Sequence, residues 1–280
     1  MRMGARVVRE QKGRIRDYVD KVTLPNNEGL AWSETSFAKL TAQAVGESTD
    51  LIDNPQQLTD ALISIQPSDS GIHILYTDVV ADRVIAQAAG IVRSGMLGMN
   101  AILRKQDIDA ITQGRSATTD LGNAGNPLQS ATIRHMRYRI SSNVTEPNAD
   151  GPFHFVHHGF ALADIDDELT APIGTYPIEP GLTGDVFEQQ YIAQSRFIGG
   201  IAVHEDGNMS IDSNDDYEGF GFAKDGLIDV EDSGPRTESI RRPSIGGGAT
   251  SVYMYFRYAF GFRSSGNWLF GTTADCTAPA

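Results

Sequence analysis

The sequence feature that most constrains the fold is the segment of residues 79–113, in which small and apolar side chains recur every three or four positions. The recurring residues are Val84, Ala88, Ile91, Gly95, Gly98 and Ile102. Thr77 and Asp78 offer an N-cap, and a stretch rich in Ser, Thr, Asp, Gly and Asn follows Gly114. The pattern predicts one helix, on the order of 50 Å long, and therefore a flat, elongated molecule.

Two glycines inside this predicted helix need a physical reason. Glycine in a helix costs about 0.5–1 kcal/mol relative to alanine, and Gly95 and Gly98 lie on the apolar stripe. We predict that they mark a close approach to a sheet, whose neighbouring strand is the aromatic run of residues 251–262. The alternative is a flexible or kinked point in a long helix.

The segment that precedes the helix, residues 16–75, has few large apolar residues. Residues 14–22 alternate between polar and apolar side chains, which predicts a strand exposed on one face. Turn-forming residues 25–29 separate it from residues 30–33, so the two runs are predicted to pair as a β-hairpin. Further extended runs follow at residues 62–65 and 71–76. Such a hairpin is marginal by itself and needs another subunit to lie on.

The remainder mixes short helices and strands. Helices are predicted at 128–140 and 185–198, and a helix or loop begins at 164–168. Strands are predicted at 153–156, 201–204 and 251–262, and a loop contains Arg241, Arg242 and residues 246–248. The fold class is therefore α+β.

Charge and cysteine content exclude several functions. The chain of 280 residues carries a net charge of -13, which disfavours sequence-specific nucleic-acid recognition. The single cysteine, Cys276, allows neither an internal disulfide nor a multi-cysteine zinc site. Charged residues within 79–103 argue against a membrane span, and the N-terminus lacks the apolar run of a secretory signal. A cytoplasm-like compartment is expected.

No pattern points to catalysis, a cofactor or a metal. His154, His157 and His158 lie in a run that favours a strand and lacks further ligands. The acidic run from Asp212 to Glu218 lacks the glycine and glutamate that a calcium loop requires at its sixth and twelfth positions. The glycines of residues 219–224 match no phosphate-binding motif, and no Gly-x-Ser-x-Gly elbow occurs. We therefore predict that the protein is not an enzyme and binds no cofactor.

The first sixteen residues form a basic arm with a single acid, Glu10. Its cations are Arg2, Arg6, Arg9, Lys12, Arg14 and Arg16. The arm is either a solvated tail or a segment that lies on an acidic neighbouring subunit or on nucleic acid.

Two stretches of sequence resemble a known family. One is Tyr76-Thr77-Asp78 with the long helix that ends in residues 104–109, and the other is residues 196–208 followed by 219–227. With the order of basic arm, extended hairpin, long helix and returning aromatic strand, the chain resembles the major capsid proteins of tailed bacteriophages, which have the Hong Kong 97-type fold.

The resemblance implies a division of the chain into functional parts. Residues 1–15 would be an N-terminal arm, and 16–75 an extended loop that lies across the adjacent subunit. Residues 76–118 and 233–280 would form a peripheral domain with the long helix as its spine, and 119–232 an axial domain around the five- and six-fold axes. The loop at Arg241 and Arg242 would approach three-fold positions, and Lys21, Trp32 and Lys39 become further candidates for subunit contacts.

The resemblance also implies a function and partners. The chain would assemble as pentamers and hexamers into an icosahedral virion shell, built in the host cytoplasm around double-stranded DNA that it touches non-specifically. Portal, scaffolding and decoration proteins would be its partners, and no membrane would be involved. Some relatives join subunits through a Lys–Asn isopeptide bond assisted by a glutamate. Residues 79–113 contain no glutamate, so we expect no such cross-link.

Two other functions remain open. An encapsulin-type nanocompartment shell shares the same fold and would enclose an enzyme instead of a genome. An acidic, β-rich enzyme or carbohydrate-binding module would instead need convergent polar groups on a compact scaffold.

Overall fold

The computed structural model describes most of the chain. The described residues are 13, 15–24, 29–37, 40, 42, 44, 47, 60–80, 89–142, 148–170, 197–245, 247–263 and 267–278, and side chains are described within these ranges except at 89–94, 169–170 and 233. The helices and strands confirm the α+β class.

The first sheet has four strands in the order β1-β9-β10-β4. Its strands are β1 (Asp20–Thr23), β4 (Ser68–Thr77), β9 (Leu227–Arg242) and β10 (Ala249–Phe262). The aromatic strand β10 runs antiparallel to both β4 and β9, whereas β1 pairs with β9 in parallel. The aromatic run predicted as a strand is thus the centre of this sheet.

The long helix α1 (Ala89–Arg115) lies across this sheet and continues to a second one. Ile102 packs with Phe256 and Tyr258 of β10, while Ala110 and Ile111 are buried in a separate, larger core. Residues 78–80 are also helical, in agreement with the predicted start at residue 79, whereas residues 81–88 of the predicted helix lie outside the described residues. The described part of α1, 27 residues, spans about 40 Å and connects the two sheets.

The second sheet has five strands in the order β11-β8-β5-β7-β6. Its strands are β5 (Phe153–His157), β6 (Phe197–Ile198), β7 (Ile201–Glu205), β8 (Asp216–Ala223) and β11 (Leu269–Asp275). Helices α2 (Ser130–Ser141) and α3 (Gly159–Thr170) bury their apolar faces against this sheet. Phe155, Phe220 and Phe222 are fully buried at its centre.

The first residues of α2 are held by a side chain from α3. Both the backbone N–H and the hydroxyl of Ser130 donate to the Glu168 carboxylate, at 2.7 and 2.9 Å. This carboxylate satisfies a helix N-terminus that has no side-chain cap of its own.

The hairpin differs from its predicted pairing. Strand β2 (Trp32–Phe37) pairs with β3 (Asp60–Ile65). The described part of the run predicted to pair with it, residues 15–22, contains a short 3-10 turn (Ile15–Asp17) and the start of β1. The prediction that 14–22 pairs with 30–33 is therefore wrong. A four-residue strand gives no sequence signal for its partner, and β1 gains more by joining a sixteen-residue strand than by forming an isolated hairpin.

Other predicted elements have mixed outcomes. The predicted helix at 128–140 and strands at 153–156 and 201–204 agree with α2, β5 and β7. The helix predicted at 185–198 falls almost entirely outside the described residues, and its last two residues form β6. The domain boundaries stay a prediction. Strand β1 and most of β4 fall within the predicted extended loop, yet both strands belong to the four-stranded sheet.

Candidate assembly surfaces

The base of the β2–β3 hairpin is anchored on the first sheet through Arg263. Its guanidinium donates to the carboxylates of Glu34, at 2.7 Å, and Asp20, at 2.9 Å, and lies 6.0 Å from the ring centroid of Trp32. Ile65 packs beside Ile228 and Val230 of β9. The predicted contact residue Trp32 is therefore half-buried within its own chain.

Among the described residues, the far ends of β2 and β3 carry large apolar side chains that remain exposed. Phe37 at the end of β2 is 60% exposed, and Leu62 in β3 is 69% exposed. Leu30 and Leu40 are exposed to a similar degree, at 74% and 58%. A two-stranded ribbon with large apolar side chains in solvent is a surface that another molecule can cover.

The described end of the basic arm is also bound within the chain. Arg16 donates to the buried carboxylate of Asp229 at 3.1 Å, pairs with Glu231, and lies 5.5 Å from the ring centroid of Phe256. Burial raises the pKa of Asp229, and the charge of Arg16 opposes that rise. Arg16 thus fastens the chain to β9 and β10. The other predicted arm residues, Arg2, Arg6, Arg9, Lys12 and Arg14, lie outside the described residues.

A buried carboxyl on α1 connects three parts of the chain. Asp107 accepts the backbone N–H of Ile15 at 3.3 Å and the side-chain amide of Asn208 at 2.8 Å. Burial, together with hydrogen bonding to Asp206, raises the pKa of Asp107 to about 7. Gly13 passes so close that a Cβ there would lie 1.8 Å from the Asp107 Cγ. The arm therefore crosses α1 at this carboxyl.

The two glycines of α1 lie at different distances from the sheet. A Cβ on Gly98 would lie 2.7 Å from the Met254 Sδ and 3.3 Å from the Ile74 Cδ1, whereas one on Gly95 would come no closer than 4.0 Å to Met254. Both neighbours of Gly98 lie in the first sheet, and Met254 lies in β10. Gly98 therefore brings the α1 backbone against side chains of the sheet.

Two arginines brace the turn between β9 and β10. Arg241 and Arg242 were predicted to lie in the loop, but they are the last two residues of β9 and pair with the first two residues of β10. Arg241 binds Asp78 through both terminal nitrogens, at 2.5 and 2.6 Å, and the pKa of Asp78 is lowered by this hydrogen-bonded partner. Arg242 lies over the ring of Tyr253 with its guanidinium 6.0 Å from the centroid. Both arginines are exposed, so the end of β9 presents an ordered basic surface.

Of the two lysines in the predicted extended loop that a cross-link could use, the structure describes one. Lys21 is exposed and pairs with Asp17 at 3.3 Å, while Lys39 lies outside the described residues.

Histidines of β5 and β7 serve as packing groups in the second sheet. His154 and His157 lie in β5, and the Nδ1 of His154 is 3.0 Å from the Nε2 of His204. The ring of Tyr18 stacks on His204 with centroids 3.6 Å apart. Burial lowers the pKa of His157 to about 3, so this ring stays neutral at physiological pH. In the described ranges, no three His, Cys, Asp or Glu side chains are arranged to hold a metal ion.

The acidic turn that resembles a calcium loop closes on itself. One oxygen of Asp212 accepts the backbone N–H groups of Asn214 and Asp216, at 2.8 and 2.9 Å. This is a turn stabilised by an aspartate side chain. None of the helices within the described ranges has the length and apolar character needed to cross a membrane.

Sequence reasoning missed the three residues that join distant parts of the chain, namely Asp107, Asp229 and Arg263. Asp107 could have been found, because it lies three and four positions before the buried Ala110 and Ile111 and so shares their helix face. Asp229 could also have been found, because it interrupts an apolar strand between Ile228 and Val230. Nothing local marks Arg263.

Comparison with known proteins shows the fold. No family model matches the sequence, and the search of curated proteins gives no match. Among solved structures, the acid-stable capsid of Helicobacter pylori bacteriophage KHP30 superposes with a TM-score of 0.71 at 10% identity, covering 99% of this chain and 95% of that one. The capsid of cyanophage Pam1 superposes with a TM-score of 0.70 at 12% identity, covering 99% and 95%.

The same fold occurs in a shell that is not viral. The holo-SrpI encapsulin complex from Synechococcus elongatus superposes with a TM-score of 0.62 at 9% identity, covering 98% of this chain and 95% of that one. The chain therefore has the Hong Kong 97-type capsid fold over nearly its whole length.

Proposed function

We propose that this chain is the major capsid protein of a tailed bacteriophage, which assembles as pentamers and hexamers into the icosahedral head shell. The observation that carries the proposal is near-complete coverage of both chains in the superpositions on phage capsids, 99% and 95% for KHP30. The fold alone does not specify a function. The surfaces of this chain supply the additional argument.

The exposed hairpin supports assembly. Its base is tied to the first sheet by Arg263, while Phe37 and Leu62 remain in solvent. Burial of an apolar side chain contributes about 1.5–3 kcal/mol, so covering several of them on each subunit favours association. In an assembled shell each hairpin lies across the adjacent subunit, and the contact is repeated around every ring.

Partners and location follow from the same proposal. The shell assembles in the host cytoplasm, encloses double-stranded DNA with which it makes non-specific contacts, and meets portal, scaffolding and decoration proteins at its surfaces. The chain acts as a structural protein and catalyses no reaction. Arg2, Arg6, Arg9, Lys12, Arg14, Lys21, Lys39, Arg241 and Arg242 remain proposed contact residues.

Electron microscopy of the purified protein tests the proposal. We expect closed icosahedral particles, and light scattering at micromolar concentration should report megadalton masses, with scaffolding protein added where assembly requires it. A chain that stays a compact monomer under all these conditions contradicts the proposal.

An encapsulin-type shell is the second candidate, because the SrpI encapsulin shares the fold over 98% of this chain. The contents of particles purified from their native source separate the two functions. Nuclease-protected double-stranded DNA supports a virion head, whereas a single abundant enclosed enzyme supports an encapsulin.

A further inference from the structure

Helix α2 presents cations that no described acid neutralises. Arg134, His135 and Arg139 are exposed, Arg137 is half-buried, and Tyr138 between them is 60% exposed. We refer to Arg134, His135, Arg137 and Arg139 as the basic helix face. Among the described residues, no carboxylate oxygen lies within 4.0 Å of these four side chains. Such a face is unusual in a chain of net charge -13.

Two of these arginines are held in place by the turn between β6 and β7. Gly199 and Gly200 adopt positive φ angles of 57° and 86°. A Cβ on Gly199 would lie 2.7 Å from the Cγ of Arg134, and one on Gly200 would lie 2.5 Å from a guanidinium nitrogen of Arg137. Arg137 also donates to the Gly199 carbonyl and lies 6.0 Å from the ring centroid of Phe153. Arginines ordered in this way lose little side-chain entropy on binding an anion.

A second unneutralised surface lies on strands β8 and β11. We call Asp120, Asp212, Asp215, Asp216 and Asp275 the acidic edge. Asp216 and Asp275 are paired residues of β8 and β11, and Asp120 forms a bridge to Gly271 of β11. In the described part of the chain, their hydrogen-bond donors are backbone N–H groups and threonine hydroxyls, and no cation lies within 4.0 Å.

The two surfaces lie at opposite edges of one sheet. Strand β11 is one edge, and β6, whose turn holds Arg134 and Arg137, is the other. Five strands are separated by four steps of about 4.8 Å, so the edges are about 19 Å apart. This separation exceeds the Debye length of about 8 Å at physiological ionic strength, so the two surfaces cannot neutralise each other within one chain.

We propose that the basic helix face binds the acidic edge of a second copy of this chain, in a head-to-tail contact that repeats around each ring. A heterologous interface of this kind needs two complementary surfaces on the same molecule, and opposite edges of one sheet meet that need. The inference rests on the proposed shell function and specifies which surfaces meet in it. Arginine forms two parallel hydrogen bonds with a carboxylate, which fixes the register of the contact as well as its strength.

Packaged DNA is the competing partner for the basic helix face. Phosphates would bind these cations equally well, but they would leave the acidic edge without counter-charges. A second copy neutralises both surfaces at once, and for this reason we favour it.

A charge-reversal cycle tests the contact. Arg134→Glu with Arg139→Glu reverses the basic helix face without touching Arg137, and Asp120→Lys with Asp215→Lys reverses the acidic edge. Arg104→Glu with Arg236→Glu is the matched control, because both of these arginines are exposed. Circular dichroism and thermal melting of unassembled subunits check that each variant folds. If the acidic-edge pair melts early, Asp120→Lys alone replaces it.

Particle yield by light scattering and electron microscopy is the measurement. Each reversed pair should lower the yield about tenfold or more relative to the control, and combining the two pairs should restore it, because complementarity returns. Reversed variants that assemble like the parent, or a combined variant that stays unassembled, overturn the contact. Normal assembly with reduced DNA retention assigns the basic helix face to DNA and also overturns it. A parent chain that never assembles contradicts the proposed function instead.

Discussion

Gly98 brings the backbone of α1 into direct contact with side chains of the first sheet. Its position over Met254 and Ile74 leaves no room for a branched side chain, while a Cβ on Gly95, one turn earlier, would only touch Met254 at an ordinary van der Waals distance of 4.0 Å. We predict that Gly98→Leu destabilises the subunit by about 1–3 kcal/mol through overpacking. Gly95→Ala should stabilise it by about 0.5–1 kcal/mol through helix propensity, which makes it the matched control.

Thermal and urea unfolding of the subunit measure both effects. Gly98→Ala should be close to neutral, because the gain in helix propensity is offset by displacement of the flexible Met254 side chain. A Gly98→Leu subunit that unfolds like the parent would eliminate the close-packing explanation.

Asp107 makes the stability of the subunit depend on pH. Its carboxyl keeps its proton in the folded chain up to a pKa of about 7, whereas the unfolded chain releases it near 3.8. The folded state therefore binds an extra proton between about pH 4 and pH 7, and stability falls as the pH rises through this window. Asp107→Asn, which is neutral at every pH, should remove this loss. The free energy of unfolding of the variant, compared with that of the parent, should therefore be higher at pH 8 than at pH 5.

Urea unfolding of parent and variant at pH 5 and pH 8 measures the difference, and Asp150→Asn at an exposed loop position is the control. Between pH 5 and pH 8, the difference in unfolding free energy between variant and parent should change by an amount on the order of a few kcal/mol. If the Asp107→Asn and parent curves shift equally with pH, the carboxyl does not titrate in this range.

Residue types were predictable at single positions, but their partners were not. The sequence singled out Arg16 as one cation among six, yet its bond to Asp229 spans 213 positions. Such a pair depends on the parallel docking of β1 on β9, and neither strand carries a local signal for the other. Gly98 was different, because an apolar helix stripe already defined the face on which it lies.

At the scale of elements, Arg263 is the charged anchor at the base of the β2–β3 hairpin. Arg263 is 19% exposed and binds Glu34, Asp20 and the backbone carbonyl of Asp225. Arg263→Ala leaves two carboxylates without their cation and removes the group that covers Trp32. We predict that the free energy of unfolding falls by about 1.5–3 kcal/mol, which is the usual contribution of hydrogen bonds to charged groups. We also expect protease to cleave the hairpin faster.

Lys105→Ala is the control, because its ion pair with Asp109 is exposed and should contribute less than about 1 kcal/mol. Unfolding curves and limited proteolysis of unassembled subunits distinguish the two variants. A hairpin that resists protease equally in Arg263→Ala and Lys105→Ala would show that the strands alone hold it.

Elements with strong periodicity were predicted well, and weakly patterned ones were not. The aromatic run of β10 and the stripe of α1 are long enough to specify their structure locally. The hairpin was assigned to the wrong strands because residues 14–22 show the alternation of a strand exposed on one face, but this short run does not identify its partner. The pairing is determined by β9, a sixteen-residue strand far along the chain, which takes β1 as its parallel neighbour.

At the scale of the whole molecule, we expect the basic arm to stabilise the assembled shell through ion pairs. Arg16 is fixed by Asp229 and Glu231 of its own chain, and the remaining five cations of the arm are the ones that we propose bind a partner. Exposed pairs contribute about 0–1 kcal/mol each, but a shell repeats them on every subunit. Deleting residues 2–12 should lower the salt concentration at which particles dissociate. Light scattering during a salt titration measures it, and unchanged salt tolerance would identify the arm as a passive tail.

The subunits should be held together without covalent bonds between them. An isopeptide bond between Lys and Asn needs a carboxyl that removes and returns protons beside both groups. Residues 79–113 contain no glutamate, and the one described lysine of the extended loop, Lys21, is paired with Asp17 of its own chain. Asp107 carries a raised pKa on α1, but its oxygens already accept hydrogen bonds from Ile15 and Asn208.

Denaturing electrophoresis of mature particles measures the prediction. Particles boiled in detergent should give a single band near 30.3 kDa, since every contact described above is broken by detergent and heat. Lys21→Arg keeps the cation and its pair with Asp17 while removing the primary amine, so the parent and this variant should give the same band. A ladder of multimers that resists reductant and disappears in Lys21→Arg would establish a cross-link through that lysine. A ladder that persists in the variant would place the bond at another residue, and either ladder would contradict a non-covalent shell.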